Sequence, residues 1–172
     1  FEYQGQKCSA MSRAYIPSTI WSEVKDKFIL EVETIKIGSP RDFSNFMNAV
    51  IDKSAFDTIS SYIDYAKDHK DAEIISGGRY DDSKGYFIEP TTILTTDPYF
   101  KTMTEEIFGP VLTIYLYDPE KWNETIQLVE STSDYGLTGC IIANDNEKIT
   151  QATKELVHSA GNFYINDKPT GA

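Results

Sequence analysis

Val111–Tyr117 reads VLTIYLY, a run rich in β-branched and aromatic residues that predicts a buried strand. After it, the pattern predicts a helix over residues 122–131, a strand over 139–143, a helix over 146–158 and a strand over 163–165. Strands that alternate with helices of this length imply crossover connections, which join parallel strands. We therefore predict an α/β fold with an open, mostly parallel sheet and helices on both faces.

The upstream half contains two further helices and several extended pieces. We predict a helix over residues 18–32 with Ser18 as its cap, a second helix over 55–68, and a strand over 73–76 that Gly77-Gly78 ends. A polar surface loop is expected at 80–85, followed by extended pieces at 86–88 and 91–94. The two helices should each bury one stripe of side chains: Ile20, Val24, Phe28 and Val32 in the first, and Phe56, Ile59, Ile63 and Ala66 in the second. No repeat or linker interrupts the pattern, so residues 1–172 are expected to form one domain.

Composition excludes several classes of protein. The 172 residues carry a net charge of −11 and no Lys/Arg-rich run, so nucleic acid and anionic membranes are poor partners. No apolar stretch approaches the roughly 20 residues of a membrane-spanning helix, so no membrane insertion is expected. The two cysteines form no C-x-x-C and the two histidines stand alone, which argues against a disulfide scaffold and a metal site.

Residues 5–10 read GQKCSA and place Cys8 among small or polar neighbours. Gly5 permits a tight loop, and Ser9 and Ala10 are small enough to lead into a helix behind the sulfur. Backbone N–H groups at a helix start would stabilise a thiolate and an oxyanion. Cys8 is thus a candidate nucleophile, although most free cysteines are small buried side chains. Cys140, in an apolar run, fits that second interpretation better.

Residues 105–110 read EEIFGP, two acids and an aromatic ring followed by a Gly-Pro turn. One interpretation is a loop that offers a carboxylate to sugar hydroxyls and a ring to a flat ligand. The other is a solvated acidic pair ahead of a strand, and the segment alone leaves both open. The sequence contains neither G-x-G-x-x-G nor a phosphate-binding P-loop.

Together, the two segments resemble the aldehyde dehydrogenase superfamily. Residues 1–8, F-x-x-x-G-Q-x-C, are similar to its active-site cysteine signature, and residues 105–110 to its cofactor-contact signature. Other segments similar to the family are IGSP at 37–40, GG at 77–78, GYFIEPT at 85–91 and YGLTG at 135–139. The resemblance covers essentially the whole chain in order.

This resemblance implies a mechanism and roles for three residues. The thiolate of Cys8 attacks an aldehyde to give a thiohemiacetal, hydride passes to NAD, and water hydrolyses the resulting thioester to the acid. The backbone N–H of Cys8 forms one half of the oxyanion hole. Glu106 binds the nicotinamide-ribose hydroxyls, and Phe108 packs near the nicotinamide ring. No metal takes part.

Finer features are similar to the members that oxidise L-glutamate γ-semialdehyde to L-glutamate in proline catabolism. They are CSA at 8–10, DFS at 42–44, AVID at 49–52 and GNFYINDK at 161–168. This similarity implies that Ser9 and the Gly171-Ala172 backbone hold the substrate's α-carboxylate. Ser39 departs from the Asp of the broad family, and Ala172 replaces a Ser that these members often carry. Their eukaryotic forms imply the mitochondrial matrix, with the cytoplasm as the alternative, and a homo-oligomeric parent.

Three alternatives stay open. The chain could act on another aldehyde, such as succinate semialdehyde or betaine aldehyde, or be a non-catalytic assembly module of the same fold. A cysteine hydrolase is the third, but neither His69 nor His158 lies near Cys8 in sequence. We expect both chain ends, Phe1 and Ala172, to be cuts through a longer polypeptide. The family's general-base glutamate, oxyanion asparagine and Rossmann-type domain precede the cysteine motif, and its C-terminal arm follows. The 172-residue chain alone is therefore expected to be inactive.

Overall fold

The computed structural model describes residues 1–169, which form a series of strands and helices. In chain order the elements are β1 Arg13–Pro17, α1 Ser18–Glu33, α2 Lys53–Asp68, β2 Ala72–Ser76, β3 Tyr80–Asp81, β4 Phe87–Ile88, β5 Thr91–Thr95, α3 Lys101–Thr104, β6 Val111–Tyr117, α4 Trp122–Ser131, β7 Thr138–Ile141, α5 Asn146–Glu155 and β8 Asn162–Ile165. Short 3₁₀ turns at Glu2–Gly5 and Pro119–Lys121 precede β1 and α4.

The main sheet has the strand order β1-β6-β5-β2, and β6 runs parallel to both of its neighbours. The predicted mostly parallel sheet is confirmed. The edge strand β2 is antiparallel to β5, with Ile74 opposite Ile93. No helix lies between Ser76 and Thr91, and without a crossover the chain returns in the opposite direction.

Alternation along β6 sends its side chains to two faces of the sheet, each covered by one helix. Leu112 and Ile114 pack with Trp21 of α1, whereas Val111 packs in the cluster that contains Ile59 and other residues of α2. The side-chain period of two in a strand requires this division. The prediction of helices on both faces is confirmed.

The prediction that one stripe of α2 is buried is confirmed. Its stripe of Phe56, Ile59, Ile63 and Ala66 is between 0 and 5% exposed. The helix begins two residues earlier than predicted, because the Asp52 side chain accepts a hydrogen bond from the Ala55 N–H and caps it.

The prediction for α1 is right in extent and wrong in detail. Ser18 is the first helical residue and Pro17 occupies the cap position, without a side-chain hydrogen bond. Ile20 and Val24 are 43% and 37% exposed, while Trp21 is buried at 8%. Each step of four residues turns a helix by about 400°, so a stripe with that spacing drifts off the buried face.

The remaining strands form two small sheets. The strands β7 and β8 pair in parallel around α5, and Cys140 lies opposite Tyr164. A third cluster of Ile126, Ala152 and Leu156 packs α4 against α5. The predicted loop at 80–85 is wrong at its start, because Tyr80–Asp81 pairs with Phe87–Ile88 as a hairpin.

Candidate active site

Cys8 lies on an exposed turn between the 3₁₀ turn and β1. The Ala10 N–H donates to the Lys7 carbonyl at 3.0 Å and closes the turn. The predicted helix behind the sulfur is wrong, because the Thr113 N–H donates to the Ser12 carbonyl and draws the chain into the sheet. Among residues 1–169, no hydrogen bond engages the Cys8 N–H, so this donor has no partner in the described part of the chain.

Two glutamines hold the segment that precedes Cys8. Gln4 is 6% exposed, and its Nε2 donates to Asn48 Oδ1 at 2.9 Å and to the Ala49 carbonyl at 3.0 Å. Gln6 Oε1 accepts from the Ile51 N–H at 2.9 Å. The loop with Cys8 is thereby attached to residues 48–51, which lead into α2.

A contact between two glycines joins the cysteine segment to residues 105–110. Gly5 has φ +67°, and a Cβ placed on it would lie 2.1 Å from the Gly109 carbonyl oxygen. A Cβ on Gly109 would in turn lie 2.6 Å from an Ile59 side-chain carbon. Only residues without side chains allow the two backbones and α2 to approach this closely. The two sequence motifs therefore meet in space.

The adjacent acids Glu105 and Glu106 have different environments. The Tyr62 hydroxyl donates to Glu105 Oε2 at 2.5 Å, and this hydrogen bond, together with burial, raises the pKa of Tyr62 to about 12. The Lys101 ammonium lies 4.8 Å from the Tyr62 ring centre, within cation–π range. Glu106 is exposed and makes no hydrogen bond within the described part of the chain. Of the two carboxylates, the one at Glu106 is free to bind a ligand.

Phe108 is presented by a strained turn. Its φ is +57°, a left-handed conformation that is uncommon outside glycine, and its side chain is 41% exposed. The preceding Ile107 is 7% exposed and packs in the core beside α2. The anchored Ile107 and the close Gly109 leave Glu106 and Phe108 on the outside of the loop.

Of the three predicted substrate residues, the structure describes Ser9 alone. Ser9 is 5% exposed, its hydroxyl makes no hydrogen bond within residues 1–169, and its carbonyl accepts from Thr138 Oγ1 at 3.2 Å. Gly171 and Ala172 lie outside the described residues.

The second thiol and the histidines have other surroundings. Cys140 is half-buried on β7, and burial raises the pKa of its thiol. His69 packs against Tyr65 and Phe100, and His158 is exposed. No hydrogen bond of residues 1–169 joins either histidine to Cys8. The pairing of thiol and imidazole that a cysteine hydrolase needs is thus not formed in this part of the chain.

Over the same 169 residues, no group of three or more His, Cys, Asp or Glu side chains is arranged to hold a metal ion. None of the helices described has both the length and the apolar character needed to cross a bilayer.

Sequence reasoning missed Gln4, Gln6 and Tyr62. Gln6 belongs to the G-Q-x-C motif, which offered a signal for it. Tyr62 lies three residues after Ile59 and so shares a helix face with it. Gln4 carried no signal, because its partners are 44 and 45 residues away in sequence.

The chain belongs to the aldehyde dehydrogenase family, whose model matches residues 1–172. Among individual relatives, it is 56% identical over 172 residues to the mitochondrial delta-1-pyrroline-5-carboxylate dehydrogenase of Dictyostelium discoideum. It is 48% identical over 173 residues to the human protein of the same name. In both cases all of this chain is matched, and it spans 31% of the relative's length.

Solved structures agree with this assignment. The delta-pyrroline-5-carboxylate dehydrogenase of Mycobacterium tuberculosis bound with NAD has a TM-score of 0.89 and 40% identity, over 98% of this chain and 30% of that one. A betaine aldehyde dehydrogenase from Staphylococcus aureus in complex with NAD⁺ has a TM-score of 0.85 and 34% identity, over 97% of this chain and 33% of that one.

Proposed function

We propose that this chain is the nucleophile-bearing segment of an NAD-dependent aldehyde dehydrogenase that oxidises L-glutamate γ-semialdehyde to L-glutamate. The observation that carries the proposal is the contact between Gly5 and Gly109, which joins an exposed thiol to an exposed carboxylate and ring. Residues 1–172 then form one segment of the catalytic domain. The relatives with the higher identities carry the pyrroline-5-carboxylate name, and the betaine aldehyde enzyme is less similar.

Cys8 is the nucleophile of this proposal. Its thiolate attacks the aldehyde carbon, and a bond from sulfur to carbon forms as the carbonyl oxygen becomes an oxyanion. The free Cys8 N–H supplies one donor to that oxygen. The exposed turn lets a small aldehyde approach without movement of the core.

Glu106 and Phe108 are the residues that would hold the cofactor. A carboxylate free of protein partners suits ribose hydroxyls, and an exposed ring suits the nicotinamide, so both fit the group. NAD supplies, when bound, the acceptor for the hydride that leaves the thiohemiacetal carbon. Glu105 is not assigned to the cofactor, because its carboxylate already accepts a hydrogen bond from the Tyr62 hydroxyl.

The substrate's α-carboxylate is assigned to Ser9, Gly171 and Ala172. A buried charge needs hydrogen-bond donors, and the Ser9 hydroxyl follows the nucleophile directly in the chain. Glycine and alanine have no bulky side chain that would keep a substrate away from the backbone N–H. Ala172 contributes no hydroxyl, so Ser9 has the larger share of recognition.

The proposed setting follows the relatives. Those from Dictyostelium discoideum and Homo sapiens are named mitochondrial, which supports the mitochondrial matrix over the cytoplasm for this protein. Oxidation of the semialdehyde to glutamate would complete proline catabolism there. A homo-oligomer is the proposed assembly of the parent protein.

The test is NADH formation from L-glutamate γ-semialdehyde by a protein of full family length that contains this segment. We expect turnover, which Cys8→Ser abolishes and Cys140→Ser preserves. The 172-residue chain alone should give none, because positioning of the nicotinamide supplies much of the rate. Turnover by the Cys8→Ser protein would refute the assigned nucleophile. Preference for betaine aldehyde or succinate semialdehyde would refute the assigned substrate.

A further inference from the structure

We propose that Gln4 is a positioning residue for the nucleophile, because its buried amide ties the loop with Cys8 to the segment that leads into α2. The proposal depends on the proposed function in one respect, the role of Cys8. The tie itself is a property of the described structure and can be tested without NAD or an aldehyde.

The loop requires such a tie because its backbone is strained. Tyr3 and Gln4 have φ of +55° and +57°, and the left-handed region is unfavourable for residues with a Cβ. Two such residues in succession persist only where their surroundings hold them. Tyr3 is 66% exposed, so its side chain contributes little to that restraint. Phe1 packs against the cluster of Trp21, Leu112 and Ile114 and holds one end of the loop, so the restraint on the side toward Cys8 comes from Gln4 and the residues after it.

The surroundings of position 4 require an uncharged side chain that donates two hydrogen bonds, and glutamine meets that requirement. Both partners of Nε2, Asn48 Oδ1 and the Ala49 carbonyl, are acceptors. A carboxylate there would face two oxygens, and an apolar side chain would leave two partly buried acceptors unpaired. Asn48 can rotate its amide to offer a donor, but the Ala49 carbonyl cannot.

Two further contacts attach the residues between Gln4 and Cys8 to other segments. Gly5 packs on the Gly109 backbone, and Gln6 accepts from the Ile51 N–H at 2.9 Å. Gln4, Gly5 and Gln6, the three residues directly before Lys7, are therefore each held by contacts with residues outside this loop.

The same helix supports the candidate cofactor segment. Asp52, directly after the tied residues, caps α2. Further along α2, Ile59 packs beneath Gly109 and Tyr62 binds Glu105. We infer that α2 and its lead-in hold the thiol and the Glu106 loop at a constant separation, with Gln4 as the connection on the thiol side.

The experiment measures amide hydrogen exchange in the 172-residue chain for Gln4→Met, Gln4→Glu and the control Ile63→Val. The reporters are the Gln6 and Ala10 N–H groups, which donate to the Tyr3 and Lys7 carbonyls. Met has the size of Gln without its donors, and we expect it to speed exchange at both reporters by about tenfold, as for the loss of a buried hydrogen bond. Ile63→Val opens a buried site in α2 and should change exchange throughout the core without singling out the two reporters.

In Gln4→Glu, exchange at the reporters should depend on pH, which a loss of stability alone would not cause. At about pH 8 the ionised carboxylate repels both acceptors, and exchange at the reporters should match or exceed that of Gln4→Met. At about pH 5.5 a carboxyl kept protonated by burial can donate one hydrogen bond and should restore part of the protection. Rates are corrected for intrinsic exchange at each pH.

Two results would overturn the proposal. One is reporter exchange in Gln4→Met no faster than in Ile63→Val at matched global stability. The other is pH-independent protection in Gln4→Glu, which also decides the matter if Gln4→Met does not fold. Neither result depends on NADH formation, so a failure of the proposed function would be seen separately.

Discussion

The Gly5 and Gly109 backbones are in such close contact that a methyl group on Gly5 would lie 2.1 Å from the Gly109 carbonyl oxygen. The two residues are far apart in sequence, and each belongs to a different motif. Their contact brings the Cys8 turn and the loop with Glu106 and Phe108 together, and the proposed chemistry depends on that approach.

Gly5→Ala should therefore destabilise the chain strongly. The new Cβ meets a carbonyl, and alanine at φ +67° is strained in addition. We expect the free energy of unfolding in urea to fall by more than about 2 kcal/mol. Gly139→Ala is the control, since its nearest atoms would lie 3.5 Å away in ordinary contact, and it should stay within about 0.5 kcal/mol. Equal losses in the two variants would contradict the glycine contact.

Cys8 should react with iodoacetamide before Cys140 in the folded chain. Cys8 is exposed, whereas Cys140 is half-buried and burial raises the pKa of its thiol. Because the thiolate is the nucleophile, we expect a rate difference of at least about tenfold near pH 8. Mass-spectrometric mapping of the labelled residue measures it, and in urea the two rates should converge. Faster labelling of Cys140 in folded protein would count against the assigned nucleophile.

Tyr62→Phe should remove an interaction whose contribution to folding stability is lost at alkaline pH. In the folded chain the hydrogen bond to Glu105 raises the pKa of Tyr62 from 10.0 to about 12. A group with a raised folded pKa stabilises fully below its unfolded pKa and loses that contribution as pH rises through the folded pKa. The wild type should thus be more stable than Tyr62→Phe up to about pH 10, and the difference should close by about pH 12.

Urea midpoints across this range measure the Tyr62 effect. The control is Tyr65→Phe, which alters the second tyrosine beside Lys101, at 5.4 Å, without touching Glu105. A difference between wild type and Tyr62→Phe that stays constant from pH 9 to about pH 12 would exclude the interaction.

Ser9→Ala tests recognition of the substrate in a protein of full family length. We expect kcat/KM for L-glutamate γ-semialdehyde to fall. The loss of transition-state stabilisation should be about 1–3 kcal/mol, as for a hydrogen bond to a charged group. The loss should be much smaller with a simple aldehyde that lacks a carboxylate. Ser12→Ala, a second serine between Cys8 and β1, should affect both substrates little. Equal losses for both aldehydes in Ser9→Ala would mean that Ser9 supports the nucleophile and does not recognise the substrate.

The sequence by itself determined the elements whose pattern is local. The bounds of β6 and α4 agree with their predictions, and the stripe of α2 is buried as predicted, because periodicity and propensity report directly on burial. The motifs around Cys8 and Glu106 were also sufficient to indicate the aldehyde dehydrogenase family, which the family comparison confirmed. Their roles as nucleophile and cofactor ligand stay predictions.

Other features were decided only by the tertiary structure. The strand β1 was missed because it is five residues long and ends in proline, and its place beside β6 depends on pairing with residues about one hundred positions away. The antiparallel course of β2 and the separate β7-β8 sheet depend on long-range pairing too. Which of two adjacent glutamates is free depends on Tyr62, 43 residues before Glu105, and the hold on Cys8 depends on Asn48 and Ala49. Such hydrogen bonds leave no periodic trace in the sequence, because they form only after packing has brought distant segments together.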